Sequence, residues 1–218
     1  MDKRTAIVAG ASGLVGQKLL NQLLADDLYE RVILFGRKAI DINHPALEQC
    51  IVDFGQLDTV TVPFKIDDVY CTLGTTIKKA GSQQAFRLVD HDYVVNLAKY
   101  AIKSGARRFL VVSAMGADAR SRIFYNRVKG EMENTVSDLP MSEKHIFRPS
   151  LILGKRSEFR LGELFAQKAA GAIAFMFSGP LKKYRPIKAE AIARAMIKTA
   201  KSDKAGTTIY PSDQMLEM

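Results

Sequence analysis

Apolar and polar positions along this chain fall into short runs whose period switches repeatedly between that of a buried strand and that of an amphipathic helix. Residues 5–9 (TAIVA) form a compact apolar run that reads as a strand covered on both faces. It passes into a segment whose apolar positions, Leu14, Val15, Leu19, Leu20, Leu23 and Leu24, recur at helical spacing. The same alternation predicts strands over 31–35, 49–53, 67–73, 108–113, 142–147 and 206–210. Helices are expected over 85–104, with Phe86, Val89, Tyr93, Leu97 and Tyr100 as its core stripe and Gly105 as its stop, and over 187–198, with Ile187, Ala191, Ile192, Ala195 and Met196 inward. Residues 162–177 (GELFAQKAAGAIAFMF) predict a helix with one very apolar face, because Glu163, Gln167 and Lys168 recur on one side; it would cover a cleft or form a dimer contact. Strands alternating with helices predict one doubly wound, mostly parallel α/β sheet with helices on both faces, formed by residues 1–218 as a single domain. Residues from about 150 to 190 are left as a small C-terminal substrate-side lobe.

The junction between the first strand and its helix carries the first chemistry. Gly10, Gly13 and Gly16 stand three residues apart, with Ala11, Ser12, Leu14 and Val15 between them. Gly10 allows a sharp exit from the strand, Gly13 exposes backbone to a ligand pyrophosphate, and Gly16 lets helix and strand approach. The unpaired N–H groups and positive pole of the helix then favour an anion. Residues 10–16 therefore predict a dinucleotide-binding turn.

At the end of the second strand, Arg37 and Lys38 occupy the place where a carboxylate would hold a ribose 2′-hydroxyl, and no Asp or Glu occurs between Arg31 and Ile40. A basic pair there suits a 2′-phosphate, so NADP(H) is expected over NAD(H). Asp53, after the third strand, is open between an adenosine contact and a strand-end cap. Thr72, Leu73 and Gly74 leave the fourth strand at the carboxyl edge, where such sheets place ligands. Lys78, Lys79 and Arg87 either line a substrate mouth or belong to a solvated loop.

The fifth strand ends in Ser113, and one helix later comes Tyr125-Asn126-Arg127-Val128-Lys129. In a helix Tyr125 and Lys129 are one turn apart on the face that also carries Val128, Met132 and Val136, so both polar groups point inward. A nearby ammonium favours the phenolate, which makes the pair a proton relay for carbonyl reduction or alcohol oxidation. The spacing alone is weak; its weight comes from its place after Ser113. Arg148 is open between a backbone contact near the ligand and a structural salt bridge.

Composition narrows the rest. The formal net charge is +9, but the Lys and Arg residues are scattered and lack aromatic interleaving, which fits attraction of phosphorylated ligands rather than a specific nucleic acid. Cys50 and Cys71 lie in apolar runs without metal-ligand or redox-motif spacing, and the three His residues show none either, so no metal is expected. The absence of a long apolar run and of a leader-like start leads to the expectation of a cytoplasmic protein without a membrane span.

Together, GASGLVG at 10–16, TLGTT at 72–76, Ser113 and YNRVK at 125–129 resemble the short-chain dehydrogenase/reductase superfamily, and in particular the atypical branch of the Tat-interacting tumour-suppressor proteins. Val89-Asp90-His91-Asp92-Tyr93-Val94, Phe147-Arg148-Pro149, RSEFRLGE at 156–163 and residues 187–196 extend the likeness over essentially the whole chain. The resemblance implies a Rossmann-type sheet and a pyrophosphate cradled by Gly10, Gly13 and Gly16. It also implies Arg37 at the 2′-phosphate, Thr72 to Gly74 along the cofactor groove, and Pro149 and Leu151 near the nicotinamide. Tyr125 would be the acid/base and Lys129 its partner. In this family a second hydroxyl residue usually follows the first at the fifth strand's end; here that position is Ala114, which leaves the substrate-orienting role between Ser113 and Ser121.

Three functions follow from these residues. The foremost is an NADP(H)-dependent oxidoreductase acting on a small carbonyl or alcohol, possible as a homodimer. The second, which Ala114 favours, is an NADP(H)-binding redox sensor or regulatory protein with little catalysis. The third is a small-substrate epimerase, which the short C-terminal lobe disfavours.

Overall fold

The computed structural model describes residues 3–154 and 184–218; the helix expected over 162–177 and the 156–163 motif lie outside them. In chain order the strands are β1 (Arg4–Ala9), β2 (Tyr29–Gly36), β3 (Leu47–Ile51), β4 (Asp68–Cys71), β5 (Arg108–Val112), β6 (Glu143–Arg148), β7 (Ile152–Leu153), β8 (Ile187–Lys188) and β9 (Gly206–Pro211). Seven of them form one sheet in the order β3-β2-β1-β4-β5-β6-β9. Every pairing in it is parallel. The chain starts in the middle, winds outward through β3, then returns to the other side of β1, so the topological switch falls between β1 and β4. All carboxyl ends of a parallel sheet lie at one edge, and the crevice at the switch point is where ligands bind.

The helices are α1 (Leu14–Leu24), α2 (Ile77–Ala80), α3 (Gln83–Arg87), α4 (Tyr93–Lys103), α5 (Phe124–Asp138), α6 (Ala189–Ala200) and α7 (Ser212–Leu216). The period of two in the central strands divides the core between them. Ala6 and Val8 of β1 join Leu19, Leu20 and Leu23 of α1 and the inner face of α6. Ile7 and Ala9 point the other way, into a layer built with Val94, Leu97 and Ala101 of α4 and Met132 and Val136 of α5. Each fully buried Leu contributes about 1.5–3 kcal/mol by leaving water. That double coverage is why β1 reads as an unbroken apolar run. Among the described residues no helix is long and apolar enough to cross a membrane.

Three boundaries differ from the sequence expectation. The third strand covers Leu47–Ile51 rather than 49–53, because its register against β2 runs from Val32↔Leu47 to Gly36↔Ile51. Ile187 and Lys188, expected to open the helix over 187–198, form short strand β8, which pairs with β7 through Ile152↔Ile187, and the helix runs instead over Ala189–Ala200. The single helix expected over 85–104 is broken by a π-helical turn, Leu88–Asp92, between α3 and α4. The wider turn rotates the buried stripe, so that Phe86, Asp90 and Val94 face inward while Val89 and Tyr93 are half-buried.

At the amino edge Asp68, Arg108 and Glu143 stand side by side across β4, β5 and β6. Arg108 meets Asp68 at 3.1 Å and Glu143 at 2.8 Å, all three buried. Tyr29 donates to Asp68 at 2.7 Å and lies 2.7 Å from the Tyr70 hydroxyl. Burial pushes Asp68 up, opposed by its bond from Tyr29 and by Arg108. This network clamps the starts of three strands at the edge opposite the site.

Candidate functional site

Gly10 has φ +91°, and a Cβ there would stand 2.6 Å from the Thr72 backbone. It therefore permits both the left-handed exit from β1 and the close passage of the segment after β4. At Gly16 a Cβ would meet the Gly10 carbonyl oxygen at 2.2 Å and the Thr72 hydroxyl at 2.5 Å, so α1 can begin only where this side chain is missing. Thr72 Oγ1 donates to the Ala9 carbonyl at 2.9 Å and locks the two loops together. Ser12 and Gly13 are exposed, Leu14 is half-buried, and Ala11 and Val15 belong to the core. Gly13 caps α1 without a side-chain hydrogen bond, and no acidic residue occupies the first turn. The first-turn N–H groups thus face the crevice uncompensated, a donor set that fits a diphosphate.

The remaining site positions distribute along the same carboxyl edge in strand order. Arg37 and Lys38 follow β2, both exposed. Asp53 follows β3 in a turn of its own: its Oδ1 accepts the Gly55 N–H at 2.8 Å, as a strand-end cap does, and the side chain stays exposed at this edge. Thr72 and Leu73, half-buried, and Gly74, exposed, follow β4; Ser113 follows β5; buried Pro149 and half-buried Leu151 follow β6. From β2 to β5 is three strand spacings, about 14 Å at roughly 4.8 Å each. The basic Arg37–Lys38 end and the Ser113 end are therefore separated by the glycine turn.

Helix α5 brings three polar side chains to its sheet-facing side at successive turns: Tyr125, Lys129 and Glu133. Tyr125 is half-buried at the mouth, its ring 5.5 Å from that of Phe86. Lys129 is buried, and its Nζ lies 2.7 Å from Asp90 Oδ1. Burial alone would drive the ammonium to lose its proton, but the Asp90 carboxylate and the Tyr125 phenol outweigh it and hold its pKa above the usual lysine value. Cys71, at the end of β4 beneath this pair, is pushed up to about 12 by burial and stays a thiol.

Ser113 Oγ donates to Glu133 Oε1, and Arg148 Nε reaches both Glu133 oxygens at 3.0 Å. Arg148 is thus in the structural salt bridge rather than a backbone contact. Ser121 lies in the turn before α5, its oxygen accepting the Ile123 N–H at 3.2 Å. Asp90 and Glu133 were not singled out as site residues from the sequence. Glu133 carried a readable signal, one further turn along the Tyr125–Lys129 face. Asp90 lies in the 89–94 motif, but nothing there aims its side chain inward, because the π turn sets that rotation. Of the basic residues near α2, Arg87 pairs with Glu131 of α5, while Lys78 and Lys79 stay exposed.

An open cleft of about 840 Å³ lies at the opposite, amino edge, lined by Lys3, Arg4, Arg31, Phe64, Lys65 and Lys201 among others. It is remote from the glycine turn, and four of its cations are already paired: Arg4 with Asp68, Arg31 with Glu48, Lys65 with Asp67 and Lys201 with Asp26. The candidate site is the carboxyl-edge crevice.

A family described as NAD(P)H-binding matches residues 10–203. Among curated proteins the chain is 38% identical over 177 residues to Protein HTATIP2 of Rattus norvegicus, covering 79% of this chain and 73% of that one. It is 31% identical over 176 residues to Protein fmp52, mitochondrial, of Emericella nidulans, covering 78% of this chain and 76% of that one. Among solved structures, the Bordetella bronchiseptica enzyme WbmH in complex with NAD+ aligns with a TM-score of 0.72 at 14% identity, covering 96% of this chain and 76% of that one. UDP-glucose 4-epimerase of Thermotoga maritima aligns with a TM-score of 0.69 at 12% identity, covering 98% and 80%. At such identities these structures speak for the fold alone. The FMP52 relatives are mitochondrial proteins by name, which overturns the expectation of a cytoplasmic protein. The absence of a long apolar run and of a leader-like start is too weak a basis for that expectation, since neither separates one aqueous compartment from another.

Proposed function

The chain belongs to the NAD(P)H-binding family, in the branch of the HTATIP2 and FMP52 proteins, and on that premise we propose that it is an NADP(H)-dependent oxidoreductase of short-chain dehydrogenase type acting on a small carbonyl or alcohol. The observation that carries the proposal is the Tyr125–Lys129 pair, delivered by one face of α5 to the carboxyl edge beside the uncapped glycine turn. The backbone of residues 10–16 holds the diphosphate, Arg37 and Lys38 the 2′-phosphate, and Asp53 flanks the adenosine. Thr72, Leu73 and Gly74 form one wall of the groove, and Pro149 and Leu151 the floor at its reactive end. Bound there, the cofactor supplies or accepts hydride at the substrate carbon. Tyr125 gives its phenolic proton to the carbonyl oxygen during reduction, or takes one from the alcohol during oxidation. Lys129 stabilises the phenolate between those events. Ser113 orients the substrate oxygen only by turning its hydroxyl away from Glu133.

The test combines calorimetry with NADPH and NADP+ with turnover of the Tyr125→Phe variant. The proposal expects saturable binding in both proteins and loss of turnover on the order of a hundredfold or more in the variant. Absence of binding at millimolar cofactor, or an unchanged rate in the variant, refutes it.

A second reading, an NADP(H)-binding regulator, is favoured by one observation: the hydroxyl of Ser113 is engaged by Glu133, and the next residue is Ala114. It expects cofactor to change affinity for a protein partner, with a coupling of about 1–3 kcal/mol.

A further inference from the structure

Asp90 occupies an unusual place for a carboxylate. It is 1% exposed, lies in the π-helical turn Leu88–Asp92, and uses its two oxygens on two different elements. Oδ1 faces Lys129 Nζ of α5 at 2.7 Å, and Oδ2 accepts the Thr75 N–H at 2.8 Å. Thr75 belongs to the segment leaving β4, one residue beyond Gly74. A Cβ on Gly74 would stand 3.3 Å from Asp90 Oδ1 and 3.9 Å from Lys129 Nζ, so the glycine lies directly over the ion pair.

We propose that Asp90 is the positioning residue of the proton relay: it keeps Lys129 a fixed ammonium beside Tyr125 and joins it, through the Thr75 backbone, to the segment that lines the cofactor groove. Residues 72–74 therefore have a second role besides forming a wall, because a displacement there is felt at the ammonium through one carboxylate. The charged and titratable groups facing Lys129 are Asp90 from the π turn, Tyr125 from its own helix and the Cys71 thiol from β4. The same thiol faces Asp90. Of these, Asp90 is the carboxylate in ion-pair contact, so its removal leaves a buried ammonium without a counter-charge. Such a lysine titrates well below its solution value of about 10.4.

The proposal rests on the oxidoreductase reading only in calling the pair a catalytic relay. Its first measurement needs neither cofactor nor substrate. Melting temperature is followed between about pH 7 and about pH 10 for the wild type and Asp90→Asn. With Asp90 present, Lys129 is charged in both folded and unfolded chains over this range, and no slope arises from it. In Asp90→Asn the folded chain binds fewer protons than the unfolded one, so stability rises with pH. The second measurement is the pH–rate profile, in which Asp90→Asn acquires an alkaline limb falling about tenfold per pH unit above the lowered Lys129 pKa.

Identical melting slopes and identical pH–rate profiles in the two proteins overturn the proposal. If Asp90→Asn does not fold, the double variant Asp90→Asn/Lys129→Gln decides. Recovery of a folded chain on removing the second charge supports the proposal, and failure of both variants counts against it. A melting slope that appears as expected while the wild type shows no turnover leaves the ion-pair coupling standing and sinks the oxidoreductase reading.

Discussion

Ser113 Oγ and Glu133 Oε1 are joined by a hydrogen bond that crosses from the end of β5 to the third turn of α5, and Arg148 from the end of β6 closes on the same carboxylate. The Ser113 end of the crevice is therefore already hydrogen-bonded to itself. Ser113→Ala is expected to cost about 1.5–3 kcal/mol of stability, the usual contribution of a hydrogen bond to a charged group. It is also expected to change turnover by less than about tenfold, since the bond to Glu133 competes with any use of the hydroxyl on substrate. Steady-state rates beside denaturant melts check this. A hundredfold fall in rate at unchanged stability would assign Ser113 to the substrate.

If Arg37 holds the 2′-phosphate as proposed, the choice of cofactor turns on it. Arg37→Glu should weaken NADPH binding by roughly tenfold to a hundredfold, corresponding to loss of about 1.5–3 kcal/mol of charge-assisted hydrogen bonding, while NADH binding stays nearly unchanged. Paired titrations with both cofactors measure the ratio, and an equal loss for the two would show that Arg37 does not read the 2′-phosphate.

Gly16→Ala places a methyl 2.2 Å from the Gly10 carbonyl oxygen. Neither β1 nor α1 can retreat without disturbing the buried layers on both sides. The variant should lose about 1–3 kcal/mol of stability, as overpacked sites do, and bind cofactor poorly because the turn opens. Calorimetry and thermal melts report the two effects separately.

Arg108→Met leaves Asp68 and Glu143 buried without their shared cation. Arg107 stays 2.6 Å from Glu143 and Arg4 3.5 Å from Asp68, so the expected loss lies near the lower end of the roughly 3–5 kcal/mol range for breaking a buried ion pair from one side. Because the network lies at the amino edge, cofactor affinity in the folded fraction should match the wild type. Chemical denaturation and titration at a permissive temperature test both statements.

His145 gives a pH dependence of known sign. It is fully buried, its Nδ1 lies 3.3 Å from the Tyr210 hydroxyl, and Nε2 has no hydrogen-bond partner among the described residues. Burial holds its pKa below the ordinary value of 6.5, a shift that Glu143 opposes and Arg108 and Lys204 assist. The unfolded chain therefore binds the proton more readily, and stability is lost as pH falls below about 6.5. His145→Gln should show a shallower loss between about pH 6.5 and about pH 5 than the wild type. Parallel slopes would mean that His145 is not the group responsible.

The order of strands and helices, the glycine turn and the inward face of α5 were legible because each is written in local spacing. A period of two or of 3.6 reports burial without reference to any distant residue, and glycines three apart before a helix report a steric need of the backbone itself. The parallel arrangement then gathers residues as far apart as Gly10, Arg37, Thr72, Ser113 and Pro149 at one edge, a consequence of topology that the alternation of elements already implies. The partners of the buried charges were not legible. Lys129 could be read as Tyr125's neighbour, but its bond to Asp90 depends on a π turn whose single extra residue re-aims a carboxylate across to another helix. Ser113 could be read as a strand-end hydroxyl, but its engagement by Glu133 and Arg148 depends on the register in which α5 and β6 pack beside β5. Burying a charge is costly unless a partner stands within hydrogen-bond reach. Which residue supplies that partner is a matter of distances of about 3 Å between chain segments, and these exist only once the layers have packed.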